Sequence, residues 1–344
     1  MSPALNKPFE ALFEGLLPKQ KEVIFGRFGL DKGGEEKTLA SIGEKLNLTR
    51  ERVRQIEKSA LDVIRDAAAK SAIVAQLLSR VKREISAVGG AMGKEELLKT
   101  ISGSFGGQKI NHLDLLSEAT GAFHAHPEDD RFRAFYYLKK EDLKSAMDFI
   151  DGWKNYLNQN KEKVLSGSYQ DHFKNFIRSR NLERKIADNF LHLSKLIHEN
   201  AYGDMGLAAW PEIRPATTRD RAYLVLRKKG EPLHFEELTK EINEAKLSPQ
   251  LALAPTVHNE LIKDTRFVLV GRGTYALREQ GYEPGIARDV IKRILRKNGP
   301  LGRDEIVELV NKERFLKPNT IAINLQSKSH FERTSDGRYR VREA

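Results

Sequence analysis

The residues whose types and spacing could do chemistry lie in the stretch TRERVRQIEK, residues 49–58. At about 100° per residue, Arg50, Glu51, Arg54, Gln55 and Lys58 share one face of a helix. Arginine and glutamine can pair bidentately with guanine and adenine edges in the major groove, and glutamate can accept a hydrogen bond from cytosine. The stretch therefore has the side chains needed to recognise base pairs.

The elements that must position these side chains are two short helices. A first helix is predicted to begin at Thr38, which can cap it, and to end at Asn47, a residue type that tolerates left-handed backbone. The second is predicted to begin at Thr49 and to end near Lys70. Its opposite face carries Val53 and other apolar residues at helical spacing. This order predicts a helix-turn-helix that presents its second helix to DNA.

The segment LLPKQKEVIFGRFGL, a loop, and then TLASIGEKLNLTRERVRQIEKSAL resembles region 4 of sigma-70 type bacterial sigma factors, over roughly residues 16–70. It departs from that family at KQKE, residues 19–22, and at Asn47, where the family has a turn glycine. The resemblance implies recognition of the −35 promoter element and association with core RNA polymerase. It implies base contacts by Arg50, Glu51 and Gln55. The residues it places near the DNA backbone are Thr49, Arg52, Arg54 and Lys58.

Two of these residues have a second interpretation. Glu51 lies in the first turn of its helix, where an acid also stabilises the helix dipole without touching a base. Arg52 lies at the edge of both faces, so that it could contact a phosphate or form an ion pair within the protein. Both interpretations remain open on the sequence alone.

The composition favours a polyanionic partner. The 344 residues have a formal net charge of +11, and lysine and arginine outnumber aspartate and glutamate by 14 to 9 in residues 281–344 but by only 13 to 11 in residues 1–70. There is no cysteine, which excludes disulfides, thiolate zinc sites and cysteine nucleophiles. Acids interrupt the apolar N-terminal stretch and no apolar run reaches membrane-spanning length, so neither a signal peptide nor membrane association is expected.

The apolar pattern divides the chain into five predicted modules and a mainly α fold of tandem helix-turn-helix and winged-helix modules with short β-hairpin wings. Residues 71–140 show three helical stretches followed by a hairpin pattern, FHAHPEDDRFRAFYYL, which is the winged-helix order. Residues 141–216 are predicted to be helical, with LERKIADNFLHLSKLIHEN as one helix, and to form a possible winged helix. The modules are residues 1–70, 71–140, 141–216, 217–280 and 281–344.

The last two modules form an internal repeat, which we call copy 1 (residues 217–280) and copy 2 (residues 281–344). VLRKKGEPLHFEELTKEI matches ILRKNGPLGRDEIVELV, and TVHNELIKDTRFVLVGRGTYAL matches TIAINLQSKSHFERTSDGRYRV. Each copy is predicted to contain three helices and a hairpin. Strand alternation directs Arg338, Arg340 and Arg342 outward, as candidates for contact with the DNA backbone. Residues 219–278 resemble the HARE-type winged helix, a module also seen in the delta subunit of bacterial RNA polymerase.

No constellation of residues predicts catalysis or a cofactor. His124 and His126 alternate beside the acids at 128–130 and could bind a metal, but no further ligand stands at a fixed spacing, so that an exposed wing is the favoured interpretation. We expect no enzymatic activity, no cofactor and no metal. A nuclease fused to HARE-type modules is the least favoured alternative.

The predicted function is a sequence-specific transcription factor that binds double-stranded DNA and associates with RNA polymerase in the bacterial cytoplasm, at the nucleoid. It is not expected to be a complete sigma factor, because the first 16 residues are too short to hold a promoter-melting region. The alternative is an accessory or adaptor protein of RNA polymerase whose winged helices bind protein. The near-neutral residues 141–216 favour at least one protein-binding module. The sequence does not indicate an oligomeric state.

Overall fold

The computed structural model describes residues 7–31, 33–102, 109–283, 285–314, 316 and 318–342. The chain divides into two compact units, residues 1–197 and 198–344. The fold is mainly α with small antiparallel sheets, as predicted. Among the described residues, no helix is long and apolar enough to cross a lipid bilayer.

The first unit begins with four helices, which are α1 (Lys7–Phe13), α2 (Pro18–Arg27), α3 (Leu39–Leu46) and α4 (Arg50–Lys70). Pro18 occupies the first turn of α2, where its missing N–H costs nothing. Thr38 and Thr49 cap α3 and α4, and Asn47 adopts the left-handed conformation, as the sequence predicts. The helix-turn-helix is therefore present at the predicted residues.

The next elements are α5 (Ala72–Ser86), β1 (Ala91–Gly93), α6 (Lys94–Ser102), α7 (Ile110–Thr120), β2 (His124–His126) and β3 (Phe135–Tyr137). The predicted hairpin forms, and β1 joins it as a third strand in the order β1, β3, β2. The sequence did not predict β1, because three residues after two glycines show no alternation.

Helices α1, α2 and α4 to α7 and the adjoining sheet share one hydrophobic core, in which residues from Phe9 to Tyr136 are buried together. Helix α7 packs on α4, and the imidazole of His112 on α7 stacks on the Phe9 ring with centroids 4.4 Å apart. The side-chain amide of Asn111 donates to the Phe28 carbonyl at 2.8 Å. The helix-turn-helix and the following segment, residues 71–140, therefore pack together.

The rest of the first unit contains α8 (Lys140–Gln159), a short helix α9 (Lys161–Lys163), a π-helical turn (Val164–Ser168), α10 (Tyr169–Ser179) and α11 (Arg184–Leu193). The prediction of one helix over residues 182–200 is wrong in its second half, because α11 ends at Leu193. Ser194 instead forms an extended bridge with Phe132, and its carbonyl accepts from the Arg133 guanidinium at 2.7 Å.

The hairpin of β4 (Ile197–Glu199) and β5 (Met205–Leu207) begins at the last residue of the first unit and leads into the second. Copy 1 follows, with α12 (Thr218–Lys229), β6 (Leu233–His234), α13 (Phe235–Glu244), α14 (Ala254–Lys263), β7 (Phe267–Gly271) and β8 (Thr274–Leu277). Its strands lie in the order β6, β8, β7. A 3-10 turn at Arg278–Gln280 ends the copy.

Copy 2 has the same order of elements, with α15 (Ala287–Asn298), α16 (Arg303–Glu313), α17 (Pro318–Leu325), β9 (Phe331–Arg333) and β10 (Tyr339–Val341). A bridge between Leu301 and Tyr339 takes the place of β6. Each copy has its own core. The buried guanidinium of Arg314 joins the copies by donating to the carbonyls of Leu269, Glu283 and Gly285.

Candidate nucleic-acid interface

The start of α4 is fixed by its cap and by the turn before it. The Thr49 hydroxyl accepts from the Arg52 backbone N–H at 3.2 Å, and the Leu48 N–H donates to the Gly43 carbonyl at 2.8 Å. Asn47, with φ 53° and ψ 46°, reverses the chain between the two helices. Asparagine adopts this conformation more easily than other non-glycine residues. The turn therefore forms without the glycine that the family usually has there.

Gly43 allows α3 and the turn to approach each other closely. A Cβ atom at this position would lie 2.6 Å from the Leu48 carbonyl oxygen, which is closer than such atoms pack. Val53, on the inner face of α4, packs with Val23 and Ile42 in a small core of its own. A glycine in the middle of a predicted helix is a signal in the sequence by which Gly43 could have been found.

Helix α2 holds α4 through polar contacts that were not predicted from the sequence. The Arg27 guanidinium donates to the Glu57 carboxylate at 2.8 Å and to the Lys37 carbonyl at 2.7 Å. The buried Gln20 amide donates to the Ser59 hydroxyl at 3.0 Å. These contacts fix the rotation of α4 about its axis, and so determine which side chains face outward.

The predicted DNA-contacting residues of α4 and its cap are all exposed, and they are Thr49, Arg50, Glu51, Arg52, Arg54, Gln55 and Lys58. Glu51 accepts two hydrogen bonds from Arg54, at 2.7 and 2.8 Å, and lies 3.5 Å from the Gln55 amide nitrogen. Arg52 donates to the Gln55 side-chain oxygen at 3.1 Å. The structure thus brings four of these side chains into one hydrogen-bonded chain.

Glu51 is the electrostatic centre of this chain. The hydrogen bonds and charge of Arg54 hold the pKa of Glu51 below its usual value, so that the carboxylate is ionised at neutral pH. In the described part of the chain, no hydrogen bond or ion pair engages the charged groups of Arg50 or Lys58. A fixed carboxylate between flanking cations can orient donors and acceptors toward base edges. The arrangement suits recognition rather than catalysis.

The predicted wing arginines belong to the second unit, and all three are exposed. Two have acidic partners nearby, because Arg340 pairs with Glu332 on the facing strand and the Arg338 guanidinium lies 3.6 Å from the Asp336 carboxylate. Arg342 donates instead to the Lys328 carbonyl at 2.8 Å. The exposure of these side chains agrees with the strand alternation, and their contact with DNA remains a prediction.

In the β2–β3 hairpin of the first unit, His124 and the acids at 128–130 are exposed, as in the exposed wing that the sequence favoured, and His126 is half-buried. Lys195 forms an ion pair with the Glu128 carboxylate at 2.5 Å, and Arg133 donates to the His192 carbonyl at 2.6 Å. The His126 ring stacks on Phe135 with centroids 4.7 Å apart. Within the described ranges, no group of three or more side chains has the arrangement of a metal site. The base of this hairpin therefore packs within its unit.

Two segments of the chain match known families. Residues 12–66 match the family described as Sigma-70, region 4, and residues 216–280 match the HARE-HTH family, a helix-turn-helix domain whose description includes restriction endonucleases. Both matches agree with the resemblances stated for these segments. Together they leave residues 1–11, 67–215 and 281–344 outside the two matched segments.

Several sigma factors are similar to part of the chain. RNA polymerase sigma factor SigA2 of Synechococcus elongatus is 44% identical over 62 residues, which are 18% of this chain and 19% of that protein. RNA polymerase sigma-B factor of Nostoc sp. is 52% identical over 61 residues, which are 18% of each chain. RNA polymerase sigma factor RpoD of Helicobacter pylori is 46% identical over 61 residues, 18% of this chain and 9% of that protein.

The chain thus spans a fifth or less of these three relatives, and the similarity is that of one domain. Residues 12–66 are a sigma-70 region 4-like helix-turn-helix, and residues 216–280 are a helix-turn-helix module of the HARE-HTH type.

Proposed function

We propose that this protein is a sequence-specific, DNA-binding transcription factor of the bacterial cytoplasm and nucleoid that works with RNA polymerase. Arg50, Glu51 and Gln55 read base edges in the major groove, and Arg52, Arg54 and Lys58 contact the flanking phosphates. The observation that carries this proposal is the exposed, capped start of α4, where Glu51 and Gln55 are hydrogen-bonded to Arg54 and Arg52 and Arg50 is exposed beside them. The wing arginines Arg338, Arg340 and Arg342 add backbone contacts.

Glu51 has both of the roles that the sequence left open. Its carboxylate orients Arg54 and Gln55 in the free protein. The same negative charge stabilises the helix dipole and can accept a hydrogen bond from a cytosine amino group. Arg52 contacts Gln55 rather than an acid, so that its charge is available to a phosphate. The set is therefore oriented before DNA arrives, which lowers the entropic cost of binding.

Selection of bound duplexes from random DNA by the full chain tests this proposal. Arg50→Ala and Gln55→Ala are each expected to weaken binding to the selected site by about 1–3 kcal/mol and to relax the preference at one or two base pairs. Arg65→Ala is the matched control, because Arg65 is also an exposed arginine of α4, about 22 Å along the helix from Arg50 at 1.5 Å per residue. The absence of any enriched sequence would remove the base-reading function.

A second candidate function, an accessory protein whose winged helices bind protein, is favoured by the surface of copy 1. Ile262 on α14 is 64% exposed, and Leu251 and Leu253 just before this helix are 79% and 66% exposed. Lys263 on the same helix is paired with Glu260 at 3.1 Å. This helix therefore offers an apolar rather than a basic surface, unlike a helix that follows the DNA backbone.

Co-purification with core RNA polymerase separates the two functions. The double variant Leu251→Ser/Ile262→Ser is expected to lose polymerase while keeping duplex selection if copy 1 binds protein. Lys240→Ser on α13 serves as an exposed control in the same copy. Retention of polymerase by the double variant would remove the protein-binding role of copy 1, and failure of the unmodified chain to co-purify would remove the link to polymerase.

A further inference from the structure

The two copies place different charges at one equivalent position. In the repeat, Arg266 of copy 1 corresponds to His330 of copy 2, since both precede the phenylalanine that starts the wing strand. The structure supports this equivalence, because the backbone N–H of Arg278 donates to the Arg266 carbonyl at 2.8 Å and that of Arg342 donates to the His330 carbonyl at 2.9 Å. In both copies this position lies against the first helix.

In copy 1 the position is neutralised. Arg266 donates to the Asp264 carboxylate at 2.7 Å and to the Asp220 carboxylate at 3.0 Å, and its guanidinium lies over the Tyr223 ring at 4.9 Å. Hydrogen bonds from Arg266 hold the pKa of Asp264 below its usual value. Nearby, Arg219 pairs with Glu260 at 3.0 Å. Arg266 and Arg219 therefore each have a carboxylate of their own protein as partner.

In copy 2 two of the corresponding residues are cationic and one acid is kept, since Asp289 takes the place of Asp220. The alignment of the repeat puts Lys328 in place of Asp264, Lys292 in place of Tyr223, and Asn324 in place of Glu260. We call the set Arg288, Lys292, Lys328, His330 and Arg342 the copy 2 corner. In the part of the chain that the structure describes, no carboxylate lies within 4 Å of the charged groups of Lys292, Lys328 or Arg342.

The charges of the corner converge on His330. The Arg288 guanidinium lies 3.0 Å from its Nε2 atom and the Lys292 ammonium lies 3.2 Å from its Nδ1 atom. A neutral imidazole accepts at only one nitrogen, so that both contacts cannot be hydrogen bonds at the same time. The only acid near the set among the described residues is Asp289, 3.9 Å from Arg288, and it also accepts from the Ile286 N–H at 3.3 Å.

We propose that the copy 2 corner binds phosphate groups of the DNA backbone, and that copy 1 has no such site because its own acids occupy the equivalent position. This inference rests on the proposed function for its ligand. Phosphate fits because it accepts several charge-assisted hydrogen bonds from converging arginine and lysine side chains. A bound anion would also give both cations beside His330 an acceptor. The wing residues Arg338 and Arg340 fit less well, because each has an acidic neighbour.

The repeat supplies the test variant. Lys292→Tyr/Lys328→Asp/His330→Arg installs the residues of copy 1 in copy 2. Lys292→Tyr removes one positive charge, Lys328→Asp changes the charge by two units, and His330→Arg adds one positive charge to a neutral histidine. The net charge of the corner therefore falls by about two units. Lys240→Asp on α13, whose side chain is 74% exposed, changes the charge equally at a distant place in copy 1 and is the matched control.

Binding of the full chain to a duplex of arbitrary sequence is measured against salt concentration. Each phosphate contact contributes about 0.9 to the slope of log affinity against log salt, so that losing two contacts lowers the slope by about 2 and the affinity at 0.1 M salt by roughly 50-fold. The control is expected to keep its slope. An unchanged slope in the triple variant, or an equal loss in the control, would overturn the proposal.

A second readout does not need DNA. Partial desolvation and the charges of Lys292 and Arg288 hold the pKa of His330 below its usual value. Inorganic phosphate in the corner should raise that pKa, because an anion stabilises the imidazolium. The imidazole NMR signal of His330 is identified by its absence in His330→Gln. If phosphate leaves the pKa of His330 unchanged, the site is excluded, even if the chain binds DNA elsewhere.

The two experiments also separate this inference from the proposed function. If no sequence is selected from random DNA, yet the triple variant alone loses salt dependence, the phosphate site stands and the base-reading function does not. If a sequence is selected and the triple variant keeps the salt slope of the unmodified chain, the base-reading function stands and the phosphate site does not. A chain whose His330 responds to phosphate but which binds no duplex would refute the assignment of DNA as the ligand.

Discussion

His112 should make the first unit sensitive to acid. Its ring is 6% exposed and stacks on Phe9, and its Nδ1 atom accepts from the Lys109 backbone N–H at 3.2 Å. Burial, with a smaller effect of the Lys109 charge, lowers the pKa of His112 from 6.5 to about 4. A neutral histidine is therefore built into the core that joins α7 to α4, the helix that carries the base-reading residues.

The direction of the pH dependence follows from the protons that the folded and unfolded chains bind. Below pH 6.5 the unfolded chain takes up a proton at this residue while the folded chain does not, so that the stability contributed by His112 is complete above pH 6.5 and falls as the pH approaches 4. From these two pKa values, the loss is about 2 kcal/mol at pH 5 and about 3 kcal/mol when titration is complete. The unit should open more readily in acid.

Amide hydrogen exchange of α7, corrected for the intrinsic effect of pH, measures this loss at pH 7 and pH 5. His112→Gln keeps an acceptor for the Lys109 N–H, as glutamine does in a capping box, and removes the titration. Between pH 7 and pH 5, the free energy of opening of α7 should fall by about 2 kcal/mol more in the unmodified chain than in His112→Gln. This difference does not depend on how stable the variant is at pH 7. His198→Gln, at an exposed position, is the control. Equal losses in the unmodified chain and in His112→Gln would refute the reasoning.

Three further substitutions test how the sites are positioned. Gly43→Ala should destabilise the helix-turn-helix by about 1–3 kcal/mol, because its Cβ would meet the Leu48 carbonyl; unchanged hydrogen exchange in α3 would contradict this. Thr49→Ala should cost about 1 kcal/mol through loss of the cap and weaken all duplexes alike; an altered base preference would show that Thr49 reads sequence. Arg314→Met leaves three carbonyls without their donor and should lower protection in β7 and α15 by about 3 kcal/mol; native protection there would disprove the coupling of the two copies.

Local signals were sufficient for much of the fold. The caps Thr38 and Thr49, the left-handed Asn47 and the apolar periodicity of α4 are interactions within a few residues of chain, and all were predicted correctly. The internal repeat predicted three helices followed by a hairpin in each copy, and the structure has this order of elements. The outward direction of the wing arginines followed from strand alternation.

Long-range contacts decided the rest. The sequence could not show that Asn111 and His112 join α7 to residues near Phe9 and Phe28, because these partners are about 80 to 100 residues apart. Strand β1 exists only because β3 pairs with it, and the bridge between Phe132 and Ser194 ended a helix that periodicity alone would continue.

The sequence by itself determined which side chains could read DNA, because helix periodicity and capping depend on nearest neighbours along the chain. Only the tertiary structure decided which charged side chains already have a partner within the protein. The aligned copies differ at four of the positions compared above in ways that the sequence displays, but the neutralisation of Arg266 and the convergence of Arg288 and Lys292 on His330 depend on distances across the fold. Electrostatic interactions fall off with distance in space rather than along the chain, so these partners could be identified only once the fold was known.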